Sequence, residues 1–155
     1  MSWRKPSMCL FFALLVLCPS FKAQPAEEIL DITGSYQFLT ADDTLAILEE
    51  EEKLKGYVDV VQGEDESDTI LSYPITAGTR KNSQVEFRTG KIHQKYYRFR
   101  GKVERGTGRT ENDPDYLRLV GALEIVTVNG ETGEESAQHM QVVFKSLGRE
   151  KQPEE

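Results

Sequence analysis

Tyr97-Arg98-Phe99-Arg100-Gly101-Lys102-Val103 alternates apolar and charged residues with a period of two, and its glycine falls on the apolar side. Successive side chains of a strand point to opposite faces, so this run reads as a β-strand with one dry face and one wet face. The same arrangement recurs in Ile32-Thr33-Gly34-Ser35-Tyr36, Leu54-Lys55-Gly56-Tyr57-Val58 and Leu119-Val120-Gly121-Ala122-Leu123. In each, the glycine withdraws a side chain from the face that should be core. A flat sheet gains nothing from that, whereas a sheet curling on itself needs points of low bulk and high backbone freedom. The repeated core-face glycine predicts a small β-barrel.

Working outward, alternating or β-branched runs recur at about residues 31–40, 44–49, 53–61, 69–77, 84–88, 92–104, 116–128 and 138–147. Between them lie Asp42-Asp43, Gln62-Gly63-Glu64-Asp65, Gly78, Thr89-Gly90, the long stretch 106–114 and Asn129-Gly130, each of which offers the backbone a turn. The expected fold is therefore all-β: an eight-stranded antiparallel up-and-down barrel. One segment conflicts. Thr44 to Lys55 (TLAILEEEEKLK) is rich in helix formers, with Asp42 or Asp43 as a ready N-cap and Gly56 as a stop. A hairpin turning at residues 50–52 is the reading adopted, because the strand-like Gly56-Tyr57-Val58-Asp59-Val60 needs a neighbour.

The first residues have the three parts of a secretory signal: Arg4 and Lys5, the apolar run CLFFALLVLC from Cys9 to Cys18, and a polar stretch with Ala23 or Ala26 as cleavage points. The run is too short for a membrane helix of about 20 residues. The organisation expected is a signal peptide over 1–23, a linker over 24–30, a barrel over 31–147 and a disordered acidic tail over 148–155. Both cysteines lie in the signal, so the exported domain has no disulfide to rely on. Losing Arg4, Lys5 and Lys22 but no acid takes the net charge from −7 three units lower, to −10. That charge disfavours nucleic acid and other polyanions as partners. A short 84–88 strand, no tryptophan after Trp3 and a charged C-terminus argue against a membrane-spanning barrel.

Eight strands behind a signal, with Gly34-Ser35-Tyr36 on the first of them, resemble the calycin group, the lipocalins and their small-barrel relatives. In that group a glycine-x-aromatic triplet closes one end of the barrel. Tyr36 stands where the family usually has tryptophan, and Lys145 is the candidate for the basic residue that packs across it. The resemblance implies an apolar interior open at one end that holds a small apolar or amphipathic ligand. The interior residues that would line it are Tyr36, Phe38, Val58, Val60, Phe87, Tyr97, Phe99, Leu119, Leu123 and Phe144, with the 106–115 loop at the rim.

A second reading comes from the outer wall. Lys95, Arg98, Arg100 and Lys102, interleaved with aromatics, form the one basic concentration in an acidic chain. They would suit a cell-envelope protein or glycan, or pair with Glu86, Glu104 and Glu124 on neighbouring strands. Chemistry has little to work with. His93 and His139 are the only histidines, both expected on strand surfaces, and neither sits in a nucleophile, base or metal motif. The acidic runs 49–52 and 64–68 lack the spacing of a calcium loop. Strand parity puts Asp59 and Glu124 outward, which predicts an interior without carboxylates. The expectation is an exported, secreted or periplasmic monomer without catalytic residues, metal or cofactor.

Overall fold

The computed structural model describes residues 28–63 and 69–148. Residues 1–27, which include the expected signal peptide over 1–23, the acidic run 64–68 and residues 149–155 of the expected tail lie outside the described residues. Eight strands follow in chain order: β1 (Gly34–Gln37), β2 (Thr44–Glu50), β3 (Lys53–Gln62), β4 (Thr69–Lys81), β5 (Gln84–Thr89), β6 (Lys95–Arg105), β7 (Leu117–Val128) and β8 (Glu135–Lys145). Each pairs antiparallel with the next in one sheet of order β1 to β8. No helix of the described residues is long and apolar enough to cross a membrane.

The sheet curls into a half-barrel. Its two ends meet at one point, where Tyr36 bridges Ser146 and the Leu147 amide donates to the Ser35 carbonyl at 2.8 Å. β1 is far shorter than the 31–40 run because Asp43 pulls the chain away at Phe38. The Phe38 amide donates to the Asp43 carbonyl at 3.0 Å, and the Asp43 carboxylate accepts the amides of Thr40 at 3.1 Å and Val61 at 2.9 Å. Asp43 is buried, so these bonds replace the water it has lost.

The disputed 44–55 segment is the β2–β3 hairpin, with Glu51 and Glu52 as its two turn residues at φ 49° and 65°. Positive φ at both positions is the twist-matched two-residue turn. Cross-strand pairing has overridden helix propensity here. Gly78, read from sequence as a turn, instead lies within β4. It occupies the core face, where a Cβ would come within 2.8 Å of the Leu54 Cβ. β4 thus runs on to Lys81 and turns at Asn82 and Ser83. His93 also departs from its expected strand position: with Gln94 it forms a tight turn in which Ile92 and Lys95 exchange both backbone bonds at 2.9 Å.

The interior is a continuous run of packed rings. Phe38 lies 4.9 Å from Phe144 and 5.2 Å from Tyr97, Tyr97 lies 5.0 Å from Tyr73, Phe144 lies 5.4 Å from Phe99, and Phe99 lies 5.3 Å from Phe87. These centroid separations are those of favourable aromatic pairs, which add to the area each ring buries. Phe38 fills the seam where the backbone of β1 stops. Ile32, Leu45, Val58, Leu119 and Leu123 complete the core.

Candidate functional site

One end of the half-barrel is closed by the chain that precedes β1. Tyr36, buried, donates its hydroxyl to the Ile32 carbonyl at 2.7 Å. Beside it Arg80 and Glu49 form an ion pair at 2.9 Å whose side chains are only 10% and 12% exposed. Arg80 also donates to the carbonyls of Asn82 at 2.7 Å, Leu30 at 3.3 Å and Ile29, while Glu49 accepts the Ile32 amide at 3.0 Å. Glu49 shares the inward parity of Leu45 and Ile47, as does the buried Asp43 at the other end of β2, so the expected interior without carboxylates is corrected at both ends. The lone pairs of Glu49 are engaged by Arg80 and Ile32, which makes it a staple for the N-terminal segment rather than a free base. Arg80 from β4 is a cation whose charge acts on Tyr36. Lys145 is exposed.

The 106–115 loop sits at this same closed end rather than around an open mouth. It is held by its own aspartates. Asp115 accepts Thr107 Oγ1 and two guanidinium bonds from Arg118, all at 2.6 Å, which holds its carboxyl far below the usual range. Asp113 accepts the amides of Thr110 at 2.8 Å and Arg109 at 3.0 Å, and these bonds lower its carboxyl too.

The interior residues named from sequence are placed together. Tyr36, Phe38, Val58, Phe87, Tyr97, Phe99, Leu119, Leu123 and Phe144 are buried in one cluster, with Val60 half-buried against it. They touch one another. Burial pushes the Tyr36 and Tyr97 hydroxyls well above the ordinary phenol range; the nearby Asp31 and Glu49 add to this at Tyr36, and Tyr73 at Tyr97.

A concavity with mixed chemistry lies on the outer wall. A groove of about 420 Å³ crosses β4 to β7. Register builds it from two rows of aligned outward residues. Ala77, Arg88, Arg98, Glu124 and His139 form one; Thr79, Glu86, Arg100, Ala122 and Gln141 form the other. Small residues at Ala77 and Ala122 leave the hollow, and long charged ones form its walls.

Arg98 pairs with Glu124 at 2.8 Å and Arg100 with Glu86 at 3.0 Å, while Lys102 pairs with Glu104 at 3.1 Å. The His139 ring nitrogen Nδ1 lies 3.5 Å from the other Glu124 oxygen. The expected basic patch is thus a set of ion pairs. Lys95, out of phase with Arg98, Arg100 and Lys102, does not share their face. Arg88, absent from the sequence-based patch, stands in the groove instead and makes no ion pair among the described residues. Its guanidinium lies 4.4 Å from the centre of the Tyr96 ring, a cation–π contact that leaves donors free.

Tyr96 is outward-facing yet buried. Arg88 and Arg98 cover it, and its hydroxyl donates to Glu135 at 3.1 Å. Its flanking arginines two residues away and across the strand were the available signal, since long stems cover rings readily. Among the described residues no three histidine, cysteine or acidic side chains converge as a metal site would require. No family model matches the chain, and neither curated proteins nor solved structures yield a match.

Proposed function

We propose that the protein is an exported, non-enzymatic recognition module of barrel type that works from its outer wall, where the β4–β7 groove receives a cell-envelope protein. The observation that carries this reading is the contrast between inside and outside. Inside, the rings pack against one another, while the outer wall holds a hollow edged by oriented charge, with Arg88 as its unneutralised donor. Paired charges on a partly exposed wall add little stability each, but they set which partner charges are accepted. Capture of envelope proteins by the immobilised domain should be lost on replacing Arg88 and Arg98 with glutamate and should weaken with added salt. Unchanged, salt-insensitive capture overturns the reading.

A second reading keeps the lipocalin-like resemblance. Val60, Leu71, Ile75, Ile125, Met140 and Val142 are only partly buried around the core. A small apolar or amphipathic molecule seated there would complete their burial. Titration with a fluorophore-labelled fatty acid separates the two. Saturable one-to-one binding that Met140→Lys abolishes favours the ligand reading, and its absence favours the outer wall.

A further inference from the structure

Resting on the outer-wall reading, we infer that the partner enters the β4–β7 groove with one carboxylate side chain, seated over Ala77 and held by Arg88. A gap in a repeating pattern points to it. On the outer face of β6, Arg98 stands opposite Glu124 of β7 and Arg100 opposite Glu86 of β5, and each arginine is paired with that glutamate. Arg88 repeats the unit without its acid. Its cross-strand neighbours are Arg98 on β6 and Ala77 on β4, and the one acid of its own strand, Glu86, is committed to Arg100.

Like charges directly opposite on one sheet face are destabilising, so the alignment of Arg88 with Arg98 is a cost that a bound anion would offset. Both guanidiniums stand over one ring: Arg88 lies 4.4 Å and Arg98 5.6 Å from the centre of Tyr96. That ring faces outward yet is only 2% exposed, and its hydroxyl is tied to Glu135, so it is a fixed support. Attraction to the ring holds the two cations in place and leaves the N–H donors of Arg88 to a ligand. A carboxylate takes two guanidinium N–H groups in parallel, which suits it to an arginine held on such a platform.

Shape and charge specify the occupant. Ala77 reaches no further than its methyl group and leaves the hollow open beside Arg88; its volume of about 420 Å³ lies within the range of ligand pockets. Among the described residues three arginines and two glutamates line it, a surplus of one positive charge in a chain of net charge −7. One carboxylate balances that surplus. A phosphorylated side chain, at about −1.5 to −2, overshoots it and meets the field of an acidic protein. The groove also crosses four strands, more length than a free acid fills, so the carboxylate belongs to a protein segment lying along the wall.

Three end-blocked alanine pentapeptides, with a central glutamate, glutamine or phosphoserine, test this when titrated into the purified protein and followed by NMR at the backbone amides of residues 77, 88 and 98. The glutamate peptide should shift these amides saturably, and less so with added salt, while the glutamine peptide leaves them in place. Arg88→Gln should weaken binding of the glutamate peptide at least about tenfold, and Ala77→Glu should do the same by supplying the acid from the chain itself. Arg100→Gln, which removes an arginine that already has its acid, should stay within about twofold of wild type. Equal responses to glutamate and glutamine overturn the proposal. So does tighter binding of the phosphoserine peptide, or equal loss in Arg88→Gln and Arg100→Gln. Should Ala77→Glu fail to fold, the contrast between Arg88→Gln and Arg100→Gln decides. Envelope capture that depends on Arg88 and Arg98, together with a glutamate peptide that shifts nothing, leaves the outer-wall reading standing and overturns the carboxylate.

Discussion

Gly101 and Gly121 face each other across β6 and β7 so closely that a Cβ built on Gly121 would lie 2.5 Å from the Gly101 Cα. The space is closed on both sides. A Cβ on Gly101 would meet the Val120 carbonyl oxygen at 2.3 Å and the Phe99 ring at 2.6 Å. The two absent side chains let the strands cross tightly where the sheet turns over the ring cluster. Gly101→Ala and Gly121→Ala should each destabilise the fold by about 1–3 kcal/mol, as overpacked core positions do. Gly90→Ala, whose nearest contacts are ordinary at 3.4 Å, should stay within about 0.5 kcal/mol of wild type in urea denaturation.

Arg80 and Glu49 make the N-terminal staple a test of buried charge. Removing one partner strands the other in a site with little access to water, so Arg80→Met should cost about 3–5 kcal/mol. It should also release the carbonyls of Ile29 and Leu30. Limited proteolysis reads that separately, through faster cleavage between residues 28 and 33. Slow cleavage with lost stability assigns Arg80 to the ion pair alone.

Tyr36, Tyr73, Tyr96 and Tyr97 all have phenols held above the usual value of 10, burial being the first cause in each case. A raised folded pKa favours the protonated fold. The stability it contributes is complete below pH 10 and falls as pH rises above that value, because the unfolded chain ionises first. Alkaline titration followed by phenolate absorbance should therefore show these tyrosines ionising together with loss of β-structure above pH 10. Gradual ionisation of these four tyrosines near pH 10 with the fold intact would contradict the burial.

The strand alternation was legible because each run has one apolar and one charged face, as in Phe99 to Val103, and such a face can bury in only one orientation. The core-face glycines were legible for the same reason, but Gly78 was not. A glycine beside Thr79 and Arg80 looks like a turn until the β4–β5 register shows Arg80 facing inward to meet Glu49. Arg80 and Glu49 escaped because their burial depends on a partner 31 residues away. The outer groove escaped likewise. Its rows are made by register between four strands, and Arg88 joins Arg98 only when β5 aligns with β6.

Phe38 closes the seam with its side chain where β1 no longer does so with its backbone, resting on Phe144 and Tyr97. Phe38→Ala should therefore open a cavity where β1 ends. The cost should be about 3–5 kcal/mol for a buried phenylalanine whose surroundings relax only in part. The space left against the Tyr97 and Phe144 rings is about the size of a phenyl ring and should admit a small aromatic probe such as benzene. Stabilisation of Phe38→Ala by benzene in a melting assay, with none for wild type, is the expected outcome. Equal stabilisation of both would show an open interior in the natural protein and return the ligand reading to first place.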